Sequence, residues 1–572
     1  MIYIPSLKRH SKSTTWLKPG LSIAFLFFML STLLFYGCQV KTQTDNASLL
    51  EEEVVSNVHL AFAGGGWRAH TAHSGWTIAL TEKGKYKLGD IYNNVGTVSS
   101  NSGGSWFSTM LMYSNDFISD IESAEAVNTW ATSSGWIGKQ RKWFDAVSTC
   151  SDVPDYIYLE CVFDHYTNTS YTGGTHWKKV VDNLIFKDYP LSGVTLSDQK
   201  QNWAKDKPLL LASTLLTNSV VLNESQESGN YHNYYQVCFE GGTPQLNGDS
   251  GSNCSNFRPV DVAAATFSSI PPSVDYKPSP LFPKLESGNT AYFNIGYTVD
   301  YVVESAPTHD TIITSPLSTA NLEVMTAAAA SSAAVGFGAS QYLVDFFDIA
   351  WTFEDDAVSF SLANESITYK DAQGMSLKDL AYQKMVRMAD GGPADNSAVA
   401  QLVRSLQINN QANGFNIVAF DNVTGITVPG KGLPAVGIDI ASLFGYKDQL
   451  CITEHIFDKE FKYCLTTPEL QIFESGPLYA TPQKWSYGKG STQLVYTPYQ
   501  VTTIENPALG IKAGTTGTVH AFTCVYGDAA TAPTDGDSDF NAYENMFDFI
   551  NVGLDYQEQE GLIHLRRALG LQ

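Results

Sequence analysis

The sequence predicts the α/β fold class. From Val58 onward, short β-rich runs that end at Gly or Asn alternate with stretches of helical periodicity, which is typical of that class. The 572 residues are 43% hydrophobic and 16% charged, so the chain can bury a large core as one large domain or two ordinary ones. The strand-like runs cover residues 58–63, 95–100, 209–216, 385–389 and 415–420.

The N-terminal segment, residues 1–37, has the composition of an export signal. It contains no Asp or Glu, and its basic residues are Lys8, Arg9, Lys12 and Lys18. The apolar run 21–36 would rise about 24 Å as a helix, less than the roughly 30 Å of a bilayer core, so a spanning anchor is the weaker interpretation. Gly37-Cys38 resembles the cleavage site of bacterial lipoproteins, in which the cysteine is lipidated. We therefore expect an extracytoplasmic protein, either secreted or anchored through Cys38.

The segment after the export signal, residues 38–57, is polar and acidic and shows no apolar period, which indicates a solvated tether. The main domain is expected to cover 58–572. Within it, about 114–206 is rich in Trp, Tyr and Gly and could form a cap over a site, although ordinary packing of a large insertion explains it equally well. The net charge of −23, without clustered Lys and Arg, argues against nucleic acid as a partner.

Six cysteines fall into three pairs that are close in sequence. The pairs are Cys150 with Cys161, Cys238 with Cys254, and Cys451 with Cys464. In an exported protein this arrangement predicts three disulfides. Metal ligation is the alternative, but no pair has the two-to-four-residue spacing of zinc sites. Cys524 is left over, and we expect it to be a buried thiol.

The first of three motifs is a glycine turn, Gly64-Gly65-Gly66, between a strand-like run and a helical pattern that continues through Leu80. Glycines let backbone N–H groups turn toward a ligand, and a helix N-terminus adds partial positive charge. The turn therefore suits an anion or an oxyanion. Its spacing matches neither G-x-G-x-x-G nor G-x-x-x-x-G-K-[ST], which argues against a nucleotide.

The second motif is an extended run, 95–100, that enters a small-residue turn around Ser102 and leaves as a helical stretch through Tyr113. It is similar to a nucleophile elbow, in which a tight turn exposes a serine hydroxyl. A plain Ser/Gly loop is the alternative. The competing serines are Ser99, Ser100 and Ser105.

The third motif is the apolar run 385–389 followed by Asp390-Gly391-Gly392. An Asp at a strand end beside two glycines can approach a serine closely. A turn-initiating Asp is the plain alternative, because Asp is common in turns.

In this order, the three motifs resemble the catalytic domain shared by cytosolic phospholipase A2 and the fungal phospholipase B (lysophospholipase) family, among the patatin-like acyl hydrolases. The matching sequences are GGGWRA at 64–69, SGGSW at 102–106 and DGG at 390–392. The run GFNIVAFDN at 414–422 also resembles the strand that follows the aspartate in the fungal enzymes. The resemblance implies a three-layer α/β fold with a central mixed sheet flanked by helices and a large inserted cap.

For the chemistry, the resemblance implies that Ser102 is the nucleophile and Asp390 its base. The N–H groups of Gly65 and Gly66, with Gly64 beside them, would form the oxyanion hole. The expected reaction is hydrolysis of fatty acyl esters of phospholipids or lysophospholipids through an acyl-enzyme, at a membrane surface or lipid aggregate and without a cofactor. Transfer of the acyl group to an acceptor other than water, and an inactive secreted lipid-binding protein, stay open as alternatives.

Two positions near the motifs qualify this interpretation. Arg68 matches the arginine that lies near the substrate phosphate in the family, and a surface ion pair is its plain alternative. Ser100 stands where the family usually has glycine, two residues before the nucleophile.

Two other kinds of chemistry are weaker candidates. A Ser-His-Asp triad would need His70 or His73, but both follow the glycine turn by a helical turn, and packing or surface roles fit them better. A calcium loop in the acidic stretch 535–544 is not expected, because Phe540 stands where an EF-hand needs Gly.

Overall fold

The computed structural model of the protein describes separate segments of the chain between residues 57 and 571. They are 57–123, 129–130, 132, 134–141, 181–196, 198, 200–216, 235–240, 243–246, 257–260, 262–269, 290–295, 299–304, 311–314, 323–332, 351–354, 361–362, 385–424, 436–446, 449–456, 459–466, 470–489, 492–506, 509, 511–526 and 537–571. The export signal and nearly all of the acidic tether lie outside these segments and stay predictions.

Strands and helices alternate along the described chain. The strands are β1 (Val58–Phe62), β2 (Val95–Asn101), β3 (Leu209–Leu216), β4 (Tyr235–Glu240), β5 (Thr243–Leu246), β6 (Phe257–Val260), β7 (Val262–Ser268), β8 (Thr290–Ile295), β9 (Val299–Glu304), β10 (Thr311–Thr314), β11 (Trp351–Glu354), β12 (Ser361–Leu362), β13 (Met385–Asp390), β14 (Phe415–Thr424), β15 (Gln449–Ile456), β16 (Lys459–Thr466), β17 (Trp485–Lys489), β18 (Thr492–Thr502) and β19 (Thr516–Tyr526). The helices are α1 (Gly66–Ile78), α2 (Leu88–Tyr92), α3 (Ser102–Tyr113), α4 (Asn115–Ile121), α5 (Val324–Ser331), α6 (Gly392–Asp395), α7 (Val399–Ile408), α8 (Ile438–Ser442), α9 (Gly476–Ala480) and α10 (Asp537–Ala568), the last interrupted by non-helical backbone at 556–559. All five predicted strand-like runs are strands.

Ten of the described strands form one mixed sheet, in the order β11-β13-β3-β2-β1-β14-β19-β18-β17, with β7 pairing to β3 beside this path. The five strands from β3 to β19 in that order run parallel to one another. Antiparallel strands extend the sheet on both sides. The predicted α/β class is therefore confirmed, with a mixed sheet and helices.

The central strands are buried on both faces. Successive side chains of a strand point to opposite faces, and accordingly Leu60 and Phe62 of β1 pack into one apolar core, whereas Ala61 packs into another. Helices α1, α3 and α10 supply side chains to the first core, and α7, α8 and α9 supply side chains to the second. The sheet thus lies between two helical layers, which is why β1 and β14 carry apolar residues on both faces.

The sheet brings three chain segments to one edge. Strands β1 and β2 are parallel neighbours, so the turns that follow them lie side by side. Strand β3 pairs with β2 up to the register Asn101–Ala212 and then continues past the end of β2. Strand β13 runs antiparallel to that extension and ends at Asp390, opposite Ser213. The C-terminal ends of β2 and β13 therefore meet beside the middle of β3, because the two strands run toward each other from opposite directions.

Two smaller sheets accompany the main one among the described residues. One contains β8, β9, β10 and β12, and the other contains β4, β5, β6, β15 and β16. In the second sheet, Cys451 lies directly opposite Cys464 in an antiparallel ladder. Cross-strand partners are close enough for a bridge, so this backbone register is compatible with the predicted pair. Cys150, Cys161 and Cys254 lie outside the described residues, and all three disulfides stay predictions.

The described part of the segment 114–206 contributes to the first apolar core. Trp130 and Trp136 are buried there, stacked against His70 with ring centroids 6.1 and 4.1 Å away. Trp143 and Trp177 lie outside the described residues, and the cap stays a prediction. Among the described helices, none has the length and apolarity needed to cross a bilayer.

Candidate active site

The turn between β2 and α3 holds Ser102 in a strained backbone conformation. Asn101 is extended, with φ −137° and ψ 147°, and Ser102 has φ +49°, in the left-handed region that residues with a Cβ seldom adopt. Such outliers persist only where the surroundings enforce them, and they concentrate at functional sites. A strand, one left-handed serine and a helix are the geometry of a nucleophile elbow.

Gly103 and Gly104 let the turn around Ser102 pack directly against the glycine turn 64–66. A Cβ at Gly103 would lie 2.0 Å from the carbonyl oxygen of Gly66, and one at Gly104 would lie 2.4 Å from that of Phe62. Any larger residue would push α3 away from the glycine turn. Conversely, a Cβ at Gly64 would lie 3.0 Å from the Cβ of Ser102. The first two sequence motifs are therefore in contact.

The competing serines are fully buried and hydrogen-bonded, whereas Ser102 is 6% exposed. Ser99 donates to the carbonyl of Ala398 at 2.7 Å. The hydroxyl of Ser100 lies 2.7 Å from that of Ser108, which explains how a serine fits where the resembled family has glycine. Its hydroxyl is satisfied inside the elbow.

Asp390, the last residue of β13, faces this elbow. It is 1% exposed, and its Oδ1 accepts hydrogen bonds from the Gly392 N–H at 2.7 Å and, at 3.5 Å, from the Asn101 amide. Burial raises the pKa of Asp390 to about 6, and the nearby Ser102 hydroxyl, the Gly392 N–H and the Asn101 amide oppose this by favouring the ionised form. The carboxyl group is thus a stronger base than an exposed aspartate and is still ionised at neutral pH.

The glycine turn presents the N-terminus of α1 to the same place. Gly65 and Gly66 have φ +130° and +58°, conformations that favour glycine, and a Cβ at Gly66 would meet open space. The first N–H groups of a helix have no acceptor within the helix, which leaves those of Gly65 and Gly66 available to a ligand. The prediction for Gly64 needs correction: its N–H donates to the carbonyl of Asn396 at 2.9 Å, so it cannot serve an oxyanion.

Arg68 lies behind the glycine turn and is buried. Its Nε donates to Oδ1 of Asn422 at 3.1 Å, and the Asn422 amide reaches the Gly64 carbonyl at 3.4 Å. Burial lowers the pKa of Arg68, and the nearby carboxyl groups of Asp439 and Asp421 oppose that effect. The structure therefore places this guanidinium in a buried polar cluster under the turn. Its predicted contact with a substrate phosphate stays a prediction.

Asn396 is a site residue that the motifs did not reveal. Its carbonyl holds Gly64, its Oδ1 accepts from the Asn101 amide at 2.8 Å, and its own amide donates to Asp439 at 2.6 Å. Asn396 thus joins the glycine turn, through its backbone carbonyl, to the residue before the nucleophile, through its side chain. The available signal was an amide residue in the turn that follows Asp390-Gly391-Gly392.

The two histidines near the glycine turn belong to the core. His73 hydrogen-bonds to the Ala63 carbonyl at 2.9 Å, and His70 stacks on Trp136. Burial lowers the pKa of His70 to about 3 and that of His73 to about 4, so both rings are neutral at physiological pH. Their positions fit the packing role expected of them.

No cluster of three or more potential metal ligands occurs among the described residues. No model of a known protein family matches the chain, and no curated protein is significantly similar to it. A function is therefore inferred from the geometry of the site, in which Ser102, Asp390 and the glycine turn lie together.

Proposed function

We propose that the protein is a serine acyl hydrolase that cleaves fatty acyl esters of phospholipids or lysophospholipids with a Ser102–Asp390 dyad. The observation that carries the proposal is the position of Ser102, on a left-handed strand-to-helix turn, beside the buried Asp390 carboxyl group, whose ionised form the Ser102 hydroxyl favours. Nucleophile, base and helix N-terminus come from three distant parts of the chain, so a chance local motif does not explain their convergence.

The base is suited to its task. A hydroxyl attacks an ester only when its proton is removed as the bond forms, and an ordinary carboxylate is a weak base for that step. Because burial raises the pKa of Asp390 to about 6, its carboxylate holds a proton more strongly than an exposed one. At pH 7 most of it is still ionised and able to accept the proton.

The reaction proceeds in two halves. Ser102 Oγ adds to the ester carbonyl carbon while its proton passes to Asp390, and the resulting oxyanion is stabilised by the N–H groups of Gly65 and Gly66. The C–O bond to the lipid alcohol then breaks, and the alkoxide leaves with the proton from Asp390. In the second half, water attacks the acyl-enzyme carbonyl carbon and gives a proton to Asp390. The bond between the acyl carbon and Ser102 Oγ then breaks, Ser102 Oγ takes that proton back from Asp390, and the fatty acid is released. Each oxyanion-hole donor typically contributes about 3 to 4 kcal/mol to such steps.

The lipid substrate class and the cytosolic phospholipase A2/patatin-like version of the fold are inferred from the motif resemblance. Support comes from the mixed sheet between helices and from the position of all three motifs at one sheet edge. The export-like segment 1–37 is the basis for proposing a location outside the cytoplasm. Acyl transfer would use the same residues, and an inactive lipid-binding protein would lack turnover.

The test is labelling of the full-length protein with a fluorescent fluorophosphonate, with mapping of the modified peptide, and assay of fatty acid release from phosphatidylcholine and lysophosphatidylcholine. We expect the label on Ser102, and a loss of turnover of at least about 10³-fold in Ser102→Ala. Ser134→Ala, at an exposed serine, is the control and should behave as wild type. A folded protein that takes no label, or takes it on another serine, contradicts the proposal.

Acyl transfer is measured in the same assay with an added lysolipid acceptor. Free fatty acid as the main product supports the hydrolase, whereas an acylated acceptor as the main product makes the protein a transacylase. Lipid binding without label or product identifies an inactive binder.

A further inference from the structure

We propose that Ser331, at the C-terminal end of α5, is a positioning residue that holds the nucleophile and the end of the aspartate strand in their relative places. The proposal rests on the proposed function, since it assigns a role within the same site. Ser331 lies in the small-residue stretch around Ala327–Ala334, which the sequence marks only as suited to close helix packing.

The hydroxyl of Ser331 reaches the elbow directly. It accepts a hydrogen bond from the backbone N–H of Ser102 at 3.2 Å, lies 2.8 Å from the Ser105 hydroxyl, and donates to the carbonyl of Ala212. Its backbone carbonyl accepts from the N–H of Gly391 at 3.2 Å. One residue therefore contacts the nucleophile and the residue that follows the base.

Through Ala212, these contacts connect the turn around Ser102 to strand β3. Ala212 of β3 is the register partner of Asn101, and the next residue, Ser213, is the partner of Asp390. Ser331 thus ties the elbow to β3, the strand with which the strands of both the nucleophile and the base pair. Proton transfer from Ser102 to Asp390 would depend on this spacing, and a small displacement of either strand end would lengthen the distance between the two side chains.

The strained backbone of Ser102 is the reason why the contacts of Ser331 matter for the site. A residue with a Cβ stays at φ +49° only if its surroundings enforce that conformation, and an acceptor for its N–H is one such constraint. Ser331 is completely buried, and its hydroxyl is committed to one acceptor and two neighbouring groups. Loss of the Ser331 hydroxyl removes this acceptor of the Ser102 N–H. Because Ser331 is completely buried, solvent does not reach this position to replace it.

The adjacent residue offers a matched control. Ser332 is also buried, and its hydroxyl bonds to Nε1 of Trp106 and to the carbonyl of Ala328, both at 2.8 Å. Its removal deletes a comparable buried hydroxyl at the neighbouring position, but these bonds lead to α3 and back to α5 instead of to the Ser102 backbone.

The experiment compares Ser331→Ala with Ser332→Ala in the full chain. The measurements are thermal unfolding, the rate constant of fluorophosphonate labelling at Ser102, and kcat and KM for fatty acid release. We expect similar losses of thermal stability in both variants. Only Ser331→Ala should lose about 10- to 100-fold in labelling rate and kcat, with KM changed by less than about threefold. Equal labelling rates in the two variants contradict the positioning role.

If Ser331→Ala fails to fold, Ser331→Cys takes its place, because a thiol fills the position of the hydroxyl but is a weaker donor and acceptor. A labelling rate below wild type supports the proposal, and a wild-type rate overturns it. The two proposals fail in different ways. Wild-type protein without label at Ser102 removes the proposed function, whereas normal labelling of both wild type and the Ser331 variants removes only the role of Ser331.

Discussion

Two serine–aspartate pairs lie within the site region, and they differ in what surrounds them. Asp390, at the end of β13, lies beside the Ser102 hydroxyl, and Asp395, just before α7, accepts a hydrogen bond from the Ser397 hydroxyl at 2.7 Å. Both aspartates are buried, and burial raises the pKa of each to about 6. Neither a raised pKa nor a serine partner therefore distinguishes a catalytic base from a structural carboxyl group.

The neighbouring backbone makes the distinction. Asp395 also accepts from the N–H of Gln401 at 2.9 Å, and the Ser397 hydroxyl accepts from the N–H of Val399 at 3.1 Å, so this pair satisfies the first turn of α7. Ser102 instead stands beside the glycine turn, where a Cβ at Gly66 would meet nothing within 4 Å and the first N–H groups of α1 have no acceptor within the helix. A carboxyl–hydroxyl pair becomes a candidate dyad only where unpaired donors can receive an oxyanion.

The largest expected effect on turnover comes from replacing Asp390 by Asn, with the same replacement at Asp395 for comparison. Asp390→Asn should reduce fatty acid release by about 10³-fold or more, because an amide cannot accept the Ser102 proton. Asp395→Asn should leave kcat within about threefold, since Asp395 touches a helix start and not the nucleophile. Steady-state kinetics on a lysophospholipid measures both, with circular dichroism to verify folding. Comparable losses in the two variants would remove the distinction drawn between the pairs.

The next effect is the pH dependence of catalysis. Because burial raises the pKa of Asp390 to about 6, kcat/KM should be level above that pH and fall about tenfold per pH unit below it. A profile of kcat/KM between pH 4 and 8 gives the apparent pKa. A profile with its midpoint near 4 would show that the base is an ordinary exposed carboxylate.

The raised pKa of Asp390 also makes the stability of the folded protein depend on pH. The folded-state pKa of Asp390 lies above its unfolded value, so its protonation stabilises the folded protein at low pH, and this contribution is lost as the pH rises through about 6. Asp390→Asn should therefore be more stable than wild type at pH 8 by up to about 3 kcal/mol, and the gain should vanish near pH 4. Urea unfolding at the two pH values measures the difference. A variant that is less stable than wild type at pH 8 would contradict this sign.

A smaller effect is expected at the structural pair. Ser397→Ala removes a hydroxyl that accepts from the Val399 N–H at the start of α7 and should lower the free energy of unfolding by about 1 kcal/mol. Turnover should change by less than about threefold. Urea unfolding and fatty acid release measure the two quantities, with Ser405→Ala, at a partly exposed position within α7, as the control.

The smallest effect on catalysis is expected at His73. Its ring is buried, neutral and bonded to the Ala63 carbonyl, so His73→Ala should lower stability by about 1 to 3 kcal/mol but change kcat by less than about fivefold at a temperature where it is folded. Thermal unfolding and kinetics separate the two results. A loss of kcat as large as that of Asp390→Asn would indicate a triad in place of the dyad.

Local patterns in the sequence determined the α/β class, the five strands 58–63, 95–100, 209–216, 385–389 and 415–420 to within a few residues, and the turns that carry Ser102 and Asp390. Strand periodicity and glycine spacing are encoded over a few neighbouring residues, so they can be recognised without the fold.

Only the tertiary structure decided which residues contact these turns. Gly64 was expected to donate to an oxyanion, but its N–H is taken by Asn396, and Arg68 is buried among carboxyl groups. Ser331 meets Ser102 across 229 residues of chain, and Asn396 meets Asn101 across 295. Contacts at such separations depend on strand order and on the extension of β3 past β2. Neither is written in any local pattern, because sheet topology is set by the packing of the whole domain.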